Sequence, residues 1–267
     1  MSNLEPDHIL KPNQVELDKV TTSEVSIGPI QNIAFICHAD RPLSLLIGPI
    51  KITYYGISKL GKFFSKDEDR SFINIPLDPN QEHCLELKSL FKKFDNHYLS
   101  DDVKKALFGT KFNQYQYQPL VREKLSDECD IDSDDIESVP KLKLPPYCKV
   151  KFPIYESIIK TKIIKNGQRI KCDTMTDIAN IVRYKSAPEF VIRFGKIWIN
   201  KTRMPGCNKI PYGIGLLMEE VRIGRVYYPI NIDKPIYHKD ELRKKYADDI
   251  NKIKQNITKI GKMIINV

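Results

Sequence analysis

Basic and aromatic side chains alternate through the second half of the chain, and together they could bind a nucleic-acid strand. Lysine and arginine attract phosphates, while flat rings stack on bases at about 1–3 kcal/mol for each base. A ring in a β-sheet nevertheless packs in the core more often than it faces a ligand. The residues that form this pattern are Lys149, Lys151, Phe152, Tyr155, Arg183, Tyr184, Lys185, Arg193, Phe194, Lys196, Trp198, Lys201, Arg203, Lys209, Tyr212, Arg222, Arg225, Tyr227 and Tyr228.

Strand alternation assigns some of these side chains to opposite faces of a sheet. Arg193 and Gly195 share one face of a predicted strand, and Phe194 and Lys196 share the other. Trp198 continues the second face unless Gly195 introduces a β-bulge, which would move the indole to the first face. The pattern therefore leaves the orientation of Trp198 open.

Catalytic motifs are sparse in this sequence. Asp78 followed by Glu86 and Lys88 imitates a metal-dependent nuclease site, but the last two begin a helical pattern instead of a strand beside the aspartate. Residues 67–69 fit a solvated acidic loop better than a metal site. The sequence has no P-loop, GxSxG or HExxH motif, and residues 212–216 lack the third glycine of a dinucleotide fingerprint. We therefore expect no enzymatic activity and no cofactor or metal, with a nuclease as the weakest alternative.

The six cysteines lie far apart and do not form a zinc motif with the five histidines. We interpret them as reduced, mostly buried thiols, which are typical of proteins inside the cell. The chain has no run of the roughly 18 apolar residues that a membrane span needs. Its N-terminal residues do not resemble a signal peptide. We therefore expect an intracellular protein without a membrane partner.

The net charge of +9 is divided unevenly along the chain. Residues 1–140 carry 16 basic and 23 acidic side chains, whereas residues 141–267 carry 27 basic and 11 acidic ones. The second part is therefore the candidate surface for a polyanion. Residues 126–139 hold seven acids and no base, a density that predicts a solvated loop.

The hydrophobic pattern predicts an α+β fold dominated by β-strands. Cys84, Leu87, Phe91 and Phe94 recur at helical spacing, while Asn166-Gly167 is a strong hairpin signal. Apolar residues step by three and four through the C-terminal part, which predicts a helix at 237–267. Residues 1–26 are polar and aperiodic, and we expect a flexible arm there. The strands between would form an antiparallel sheet or small barrel with inserted helices.

Two sets of segments resemble single-stranded-DNA-binding proteins of large nucleocytoplasmic DNA viruses. The first set comprises residues 48–59, 69–78, 107–109 and 115–119, together with Arg122. The second set comprises residues 198–201, the loop that follows, 212–216 and 221–223. Its order of basic loop, Gly-Ile and apolar strand is also similar to that of phage-type OB-fold single-strand binders.

This resemblance implies an OB-like domain at 27–236, with an acidic insertion at 126–139. It implies non-sequence-specific binding of single-stranded DNA during viral replication, recombination or repair, without catalysis. The contacts that it implies by position are Lys196, Trp198, Lys201, Arg203, Lys209 and Tyr212, and the basic pattern adds Arg193, Arg222, Lys149 and Lys151. The expected location is the virus factory in the host cytoplasm, or the host nucleus, with other replication proteins as partners.

Two questions stay open at this point. The C-terminal helix could pack on its own domain or mediate self-association along the strand. A structural or scaffold virion protein, whose basic half contacts packaged DNA or a membrane surface, is the alternative function from a different class.

Overall fold

A computed structural model of the chain describes residues 9–61, 63–123, 144–206 and 208–224. The acidic insertion at 126–139 and the predicted helix at 237–267 lie outside the described residues. The helices are α1 (Glu82–Leu99), α2 (Asp101–Phe108) and α3 (Met175–Ile181). The strands are β1 (Ile9–Leu10), β2 (Val20–Thr22), β3 (Asn32–Ala34), β4 (Ile36–His38), β5 (Arg41–Pro42), β6 (Ser44–Ile47), β7 (Phe72–Pro76), β8 (Tyr115–Gln118), β9 (Tyr147–Lys151), β10 (Ile154–Tyr155), β11 (Ile158–Ile159), β12 (Lys162–Lys165), β13 (Gln168–Ile170), β14 (Glu189–Ile199) and β15 (Ile210–Ile223).

The predicted α+β, β-dominated class is confirmed. Ten strands form one sheet in the order β1-β6-β14-β15-β12-β13, with β3 on β14, β8 and β9 on β15, and β7 on β9. The sheet curls into an OB-like half-barrel, and a few helices are inserted between its strands. The predicted Asn166-Gly167 hairpin joins β12 to β13.

The sheet also contains parallel pairs that the sequence pattern does not predict, because β15 pairs in parallel with β8, β9 and β12. Antiparallel neighbours can be joined by short turns, whereas parallel neighbours need long connections. The segments between these strands in the sequence are long enough for such connections, but no local pattern reveals which strands they bring together. The two long strands β14 and β15 do form the antiparallel pair around which the sheet is built.

Helix α1 fills one side of the sheet with aromatic side chains. Its buried residues recur at the spacing that the sequence predicts, because one face of the helix meets the core. The ring centroids of Phe94 and Phe194 lie 4.6 Å apart, and those of Phe91 and Phe194 lie 6.1 Å apart. Phe194 belongs to β14, so this face of the central strand pair is core, and a ligand must approach from the other face.

A buried carboxylate connects α1 to the chain beyond β8. Asp95 accepts hydrogen bonds from the Tyr117 hydroxyl at 2.9 Å, from the Leu120 N–H at 2.8 Å and from the Val121 N–H at 3.2 Å. Burial raises the pKa of Asp95, although these donors favour the charged form. The next residue, Arg122, exchanges two backbone hydrogen bonds of 2.8 Å with Tyr147 at the start of β9. Asp95 therefore holds Arg122 at one edge of β9.

The predicted flexible arm at 1–26 is wrong for the residues from Ile9 onward. Strand β1 pairs with β6, and β2 pairs with β4. The scattered apolar side chains of this segment pack against the core, and the Thr22 hydroxyl lies 2.8 Å from the Tyr98 hydroxyl. Such a segment lacks a clear period because its strands have only two or three residues. Its apolar residues are nevertheless enough to order it.

The described cysteines agree with the interpretation of reduced thiols. Cys84 and Cys148 are buried, Cys37 and Cys172 are half-buried, and all four are free. Burial raises the pKa of the Cys84 thiol to about 11, which keeps it protonated and unreactive at neutral pH. No helix in the described part of the chain is long and apolar enough to cross a membrane.

Candidate nucleic-acid interface

A concave groove of about 540 Å³ lies on the sheet face opposite α1. It is bounded by β9, β14, β15, Arg122 in the segment after β8, and the segment around β3. Among the described residues, its lining contains no carboxylate, and it contains the five cations Arg122, Lys149, Lys151, Arg193 and Lys196. Two aromatic side chains, Phe35 and Trp198, also line it. We call this feature the basic groove.

A β-bulge places Trp198 in the basic groove. The register between β14 and β15 shifts between Phe194 and Lys196, so Gly195 is the extra residue. Phe194 points into the core, whereas Lys196 and Trp198 lie on the groove face and Ile197 is buried again. The structure thus decides the question that alternation leaves open, because one extra residue exchanges the faces of all later side chains.

The Gly-Ile-Gly segment of β15 forms the surface on which the indole rests. Gly213 pairs with Trp198 across the two strands. A Cβ atom on Gly213 would lie 2.9 Å from Cζ2 of Trp198, and a Cβ atom on Gly215 would lie 3.7 Å from its Cδ1. These glycines therefore serve close packing of a ring against backbone, which explains a motif that does not fit a dinucleotide site.

Replacing Gly213 by alanine is expected to displace the indole. The added methyl group would overlap Trp198 and approach the Gln118 carbonyl oxygen to 3.0 Å, at a cost of about 1–3 kcal/mol in the free energy of unfolding. Trp198 is the only tryptophan, so its fluorescence emission reports the change directly. The matched control is Gly61→Ala, where the new Cβ meets no atom within 4 Å. An emission maximum and intensity unchanged by Gly213→Ala would contradict this packing.

The cations of the basic groove crowd one another. The Lys149 Nζ lies 3.6 Å from the centroid of the Phe72 ring, which holds the ammonium group partly buried. Burial lowers the pKa of Lys149, and the positive charges of Arg122 and Lys151 lower it further. Arg193 differs from the others, because its Nε lies 2.9 Å from a carboxylate oxygen of Glu219. A bound polyanion would relieve the repulsion among the remaining cations.

The structure brings together five of the ten predicted contacts, namely Lys149, Lys151, Arg193, Lys196 and Trp198. Lys201, Arg203 and Lys209 lie instead in or beside the exposed loop that joins β14 to β15. The Lys201 Nζ donates to the Pro29 carbonyl oxygen at 3.0 Å. Arg222 lies near the far end of β15, where its guanidinium is paired with Glu220. These four cations are therefore not part of the basic groove.

The prediction of Tyr212 as a stacking ring is wrong. Its side chain is fully buried, and its hydroxyl donates to the Tyr98 carbonyl oxygen in α1. The Tyr117 ring lies 5.3 Å from it and the Phe108 ring 4.9 Å, measured between centroids. Tyr212 precedes Gly213, and neighbouring residues of a strand point to opposite faces. Because Gly213 faces the indole, Tyr212 must face α1.

Two residues of the groove, Arg122 and Phe35, do not belong to the basic and aromatic pattern, because they lie in the first half of the chain. Arg122 belongs to the first, acidic half, and reaches the groove only because its backbone pairs with Tyr147. Phe35 is an exposed ring next to β3, which pairs with the part of β14 that carries Trp198. A long-range pairing brings each of them there, so the pattern of basic and aromatic residues does not identify them.

The residues of the nuclease alternative have structural partners. Asp78 accepts hydrogen bonds from the Asn80 N–H at 2.9 Å and from its side-chain amide at 3.0 Å. Glu86 lies on α1 beside His83. Asp67 lies in a turn and pairs with the buried guanidinium of Arg70, and a short 3-10 helix follows at Glu68–Arg70. Within the part of the chain that the structure describes, no group of three or more histidine, cysteine or acidic residues could hold a metal ion.

Comparison with known proteins links the chain to a viral sequence. The chain matches no protein-family model. It is similar to the uncharacterized protein R505 of Acanthamoeba polyphaga mimivirus, with 31% identity over 238 residues. The match covers 78% of this chain and 59% of the mimivirus protein, so the chain spans less than two thirds of the length of that relative.

Proposed function

We propose that the chain binds single-stranded DNA without sequence specificity through the basic groove. The observation that carries this proposal is the combination of five cations, without a lining carboxylate among the described residues, around a tryptophan that rests on two glycines. Cations that follow a backbone and rings that stack on bases are the two parts that such binding needs. Every base offers a flat face, so stacking does not select a sequence.

The position of the indole favours single strands over duplexes. In a duplex the bases are already stacked on one another, and a ring on the floor of a groove cannot reach their faces. An unpaired strand can instead place a base against Trp198 while its phosphates approach Lys149, Lys151 and Lys196. The charged side chains that line the groove among the described residues are all ammonium and guanidinium groups, so binding is expected to depend strongly on salt.

Titration of the full chain with oligo-dT and with duplex DNA at several salt concentrations tests the proposal. We expect the fluorescence of Trp198 to be quenched by oligo-dT, because a stacked base would contact the indole. The logarithm of the association constant should fall linearly with the logarithm of the salt concentration. The slope should be about 0.7 in magnitude for each neutralised phosphate. A mixed-sequence oligonucleotide should bind like oligo-dT. Equal weak binding to single strands and duplex, without quenching, would contradict the proposal and favour the scaffold alternative.

The biological setting belongs to the same proposal. The similarity to a mimivirus protein supports a viral context. A protein that coats unpaired DNA would serve replication, recombination or repair of the viral genome, in a virus factory of the host cytoplasm or in the host nucleus. Self-association and contacts with other replication proteins would help to cover longer strands.

A further inference from the structure

A second basic cavity lies at the C-terminal end of β15, beyond the basic groove. It has a volume of about 390 Å³, and its lining includes Ile223 of β15. The polar residues that line it are Lys165, Asn180, Arg183, Tyr184, Lys185 and Ser186. Three of them are cations, and no carboxylate lines the cavity in the described ranges. Arg222, which lies apart from the basic groove, is the neighbour of Ile223.

A constrained turn presents Arg183, Tyr184 and Lys185. The Ser186 N–H and hydroxyl both donate to the Arg183 carbonyl oxygen, at 3.0 and 2.6 Å. The Lys185 N–H donates to the Ile52 carbonyl oxygen at 2.8 Å, and Lys185 has a φ of +67°. A left-handed lysine is costly unless the surrounding structure enforces it. These bonds therefore hold three consecutive exposed side chains in one arrangement.

The third cation comes from a different part of the chain. Lys165 ends β12 beside the Asn166-Gly167 turn, and the Asn166 N–H donates to the Ile223 carbonyl oxygen at 2.8 Å. This bond fixes the hairpin against the end of β15. Two separate elements, the β12–β13 hairpin and the turn at 183–186, thus direct positive charge into one concavity.

An exposed ring completes the second site. Tyr184 is 66% exposed, and the Lys185 Nζ lies 5.4 Å from the centroid of its ring. A tyrosine that is this accessible beside a cation offers the same two functions, stacking and phosphate attraction, as the basic groove. The two sites also share a strand, because Leu217 lines the groove and Ile223 lines the cavity.

We propose that this second cavity is a further contact for the same DNA strand. This inference rests on the proposed function of the basic groove. Ile223 lies six positions beyond Leu217 on β15, a distance of about 20 Å along the strand. A short oligonucleotide fills only the basic groove, whereas a longer one reaches both sites. Affinity should therefore rise with length in two stages.

The test is a length series of oligo-dT from about 4 to about 30 nucleotides, which brackets the site sizes of related folds. The variant is Arg183→Glu with Lys185→Glu, and the control is Lys92→Glu with Lys93→Glu, the same change of charge on the exposed side of α1. We expect the first variant to lose on the order of 10-fold in affinity for the longest oligonucleotides and to bind the shortest ones like wild type. The control should match wild type throughout.

A second variant distinguishes a loss of DNA binding from a loss of folding. Tyr184→Ala changes no charge and removes only an exposed ring, and it should weaken binding of long oligonucleotides alone. If both variants are folded and bind long oligonucleotides like wild type, while changes in the basic groove weaken binding, the second site is wrong and the proposed function stands. If wild-type protein binds no oligonucleotide of any length, both proposals fail.

Discussion

Replacing Lys151 and Lys196 together by glutamate is expected to weaken oligo-dT binding on the order of 100-fold at low salt. The two lysines lie on β9 and β14, on opposite sides of the basic groove, and both are exposed. The substitutions remove two phosphate contacts and introduce two repulsive charges. The slope of log affinity against log salt concentration should fall by about 1.4, because each single-strand phosphate contact contributes about 0.7.

The control for this prediction is again Lys92→Glu with Lys93→Glu on α1. It changes the net charge of the protein equally but lies on the side of the sheet away from the groove. The comparison is repeated at physiological salt, where charges more than about 8 Å apart are screened and the affinity of this control should be nearly unchanged. An equal loss of affinity in both double variants would mean that net charge, and not the groove, attracts the DNA.

Replacing Tyr212 by alanine is expected to lower the free energy of unfolding by about 3–5 kcal/mol. The ring is fully buried among Tyr98, Tyr117 and Phe108, and its removal would leave a cavity between the sheet and the helices. Its hydroxyl also satisfies the Tyr98 carbonyl oxygen. Urea unfolding followed by circular dichroism measures this loss, and Tyr212→Phe should cost only about 1 kcal/mol, because it removes one hydrogen bond.

Trp198→Ala should show the opposite behaviour. We expect it to reduce oligo-dT affinity by about 1–3 kcal/mol, with a smaller change in stability than Tyr212→Ala causes. Anisotropy of a labelled oligo-dT measures the affinity, since this variant has no tryptophan. Binding by the folded fraction of Tyr212→Ala should match wild type. If Tyr212→Ala were as stable as wild type but lost DNA binding, the assignment of these two rings would be reversed.

The sequence does not predict which face of the sheet Trp198 and Tyr212 occupy. Both lie near the turn between β14 and β15, and both have basic neighbours, so the sequence treats them alike. Their faces depend on the register of the two strands and on the bulge at Gly195. A bulge depends on hydrogen bonding between strands, which side-chain patterns do not specify.

Local patterns did predict the elements that depend on local physics. The helical spacing from Cys84 to Phe94 marks the buried face of α1, because periodic apolar residues must meet a core. Asn166-Gly167 marks a turn because both residues tolerate positive φ, at +52° and +80° here. The basic residues predicted on β9 and β14 do line the groove, whereas the two residues predicted on β15, Tyr212 and Arg222, do not.

Composition and periodicity are enough to predict the α+β class, the uneven charge and the supply of cations and rings suited to nucleic acid. Which of these side chains meet depends on the three-dimensional fold. Parallel pairing of β9 with β15 brings Lys149 and Lys151 to the groove, and the backbone pair with Tyr147 adds Arg122 from the acidic half of the chain. These contacts join residues that are distant in sequence, and their formation depends on the packing of the whole sheet. Local composition and periodicity therefore do not predict these contacts.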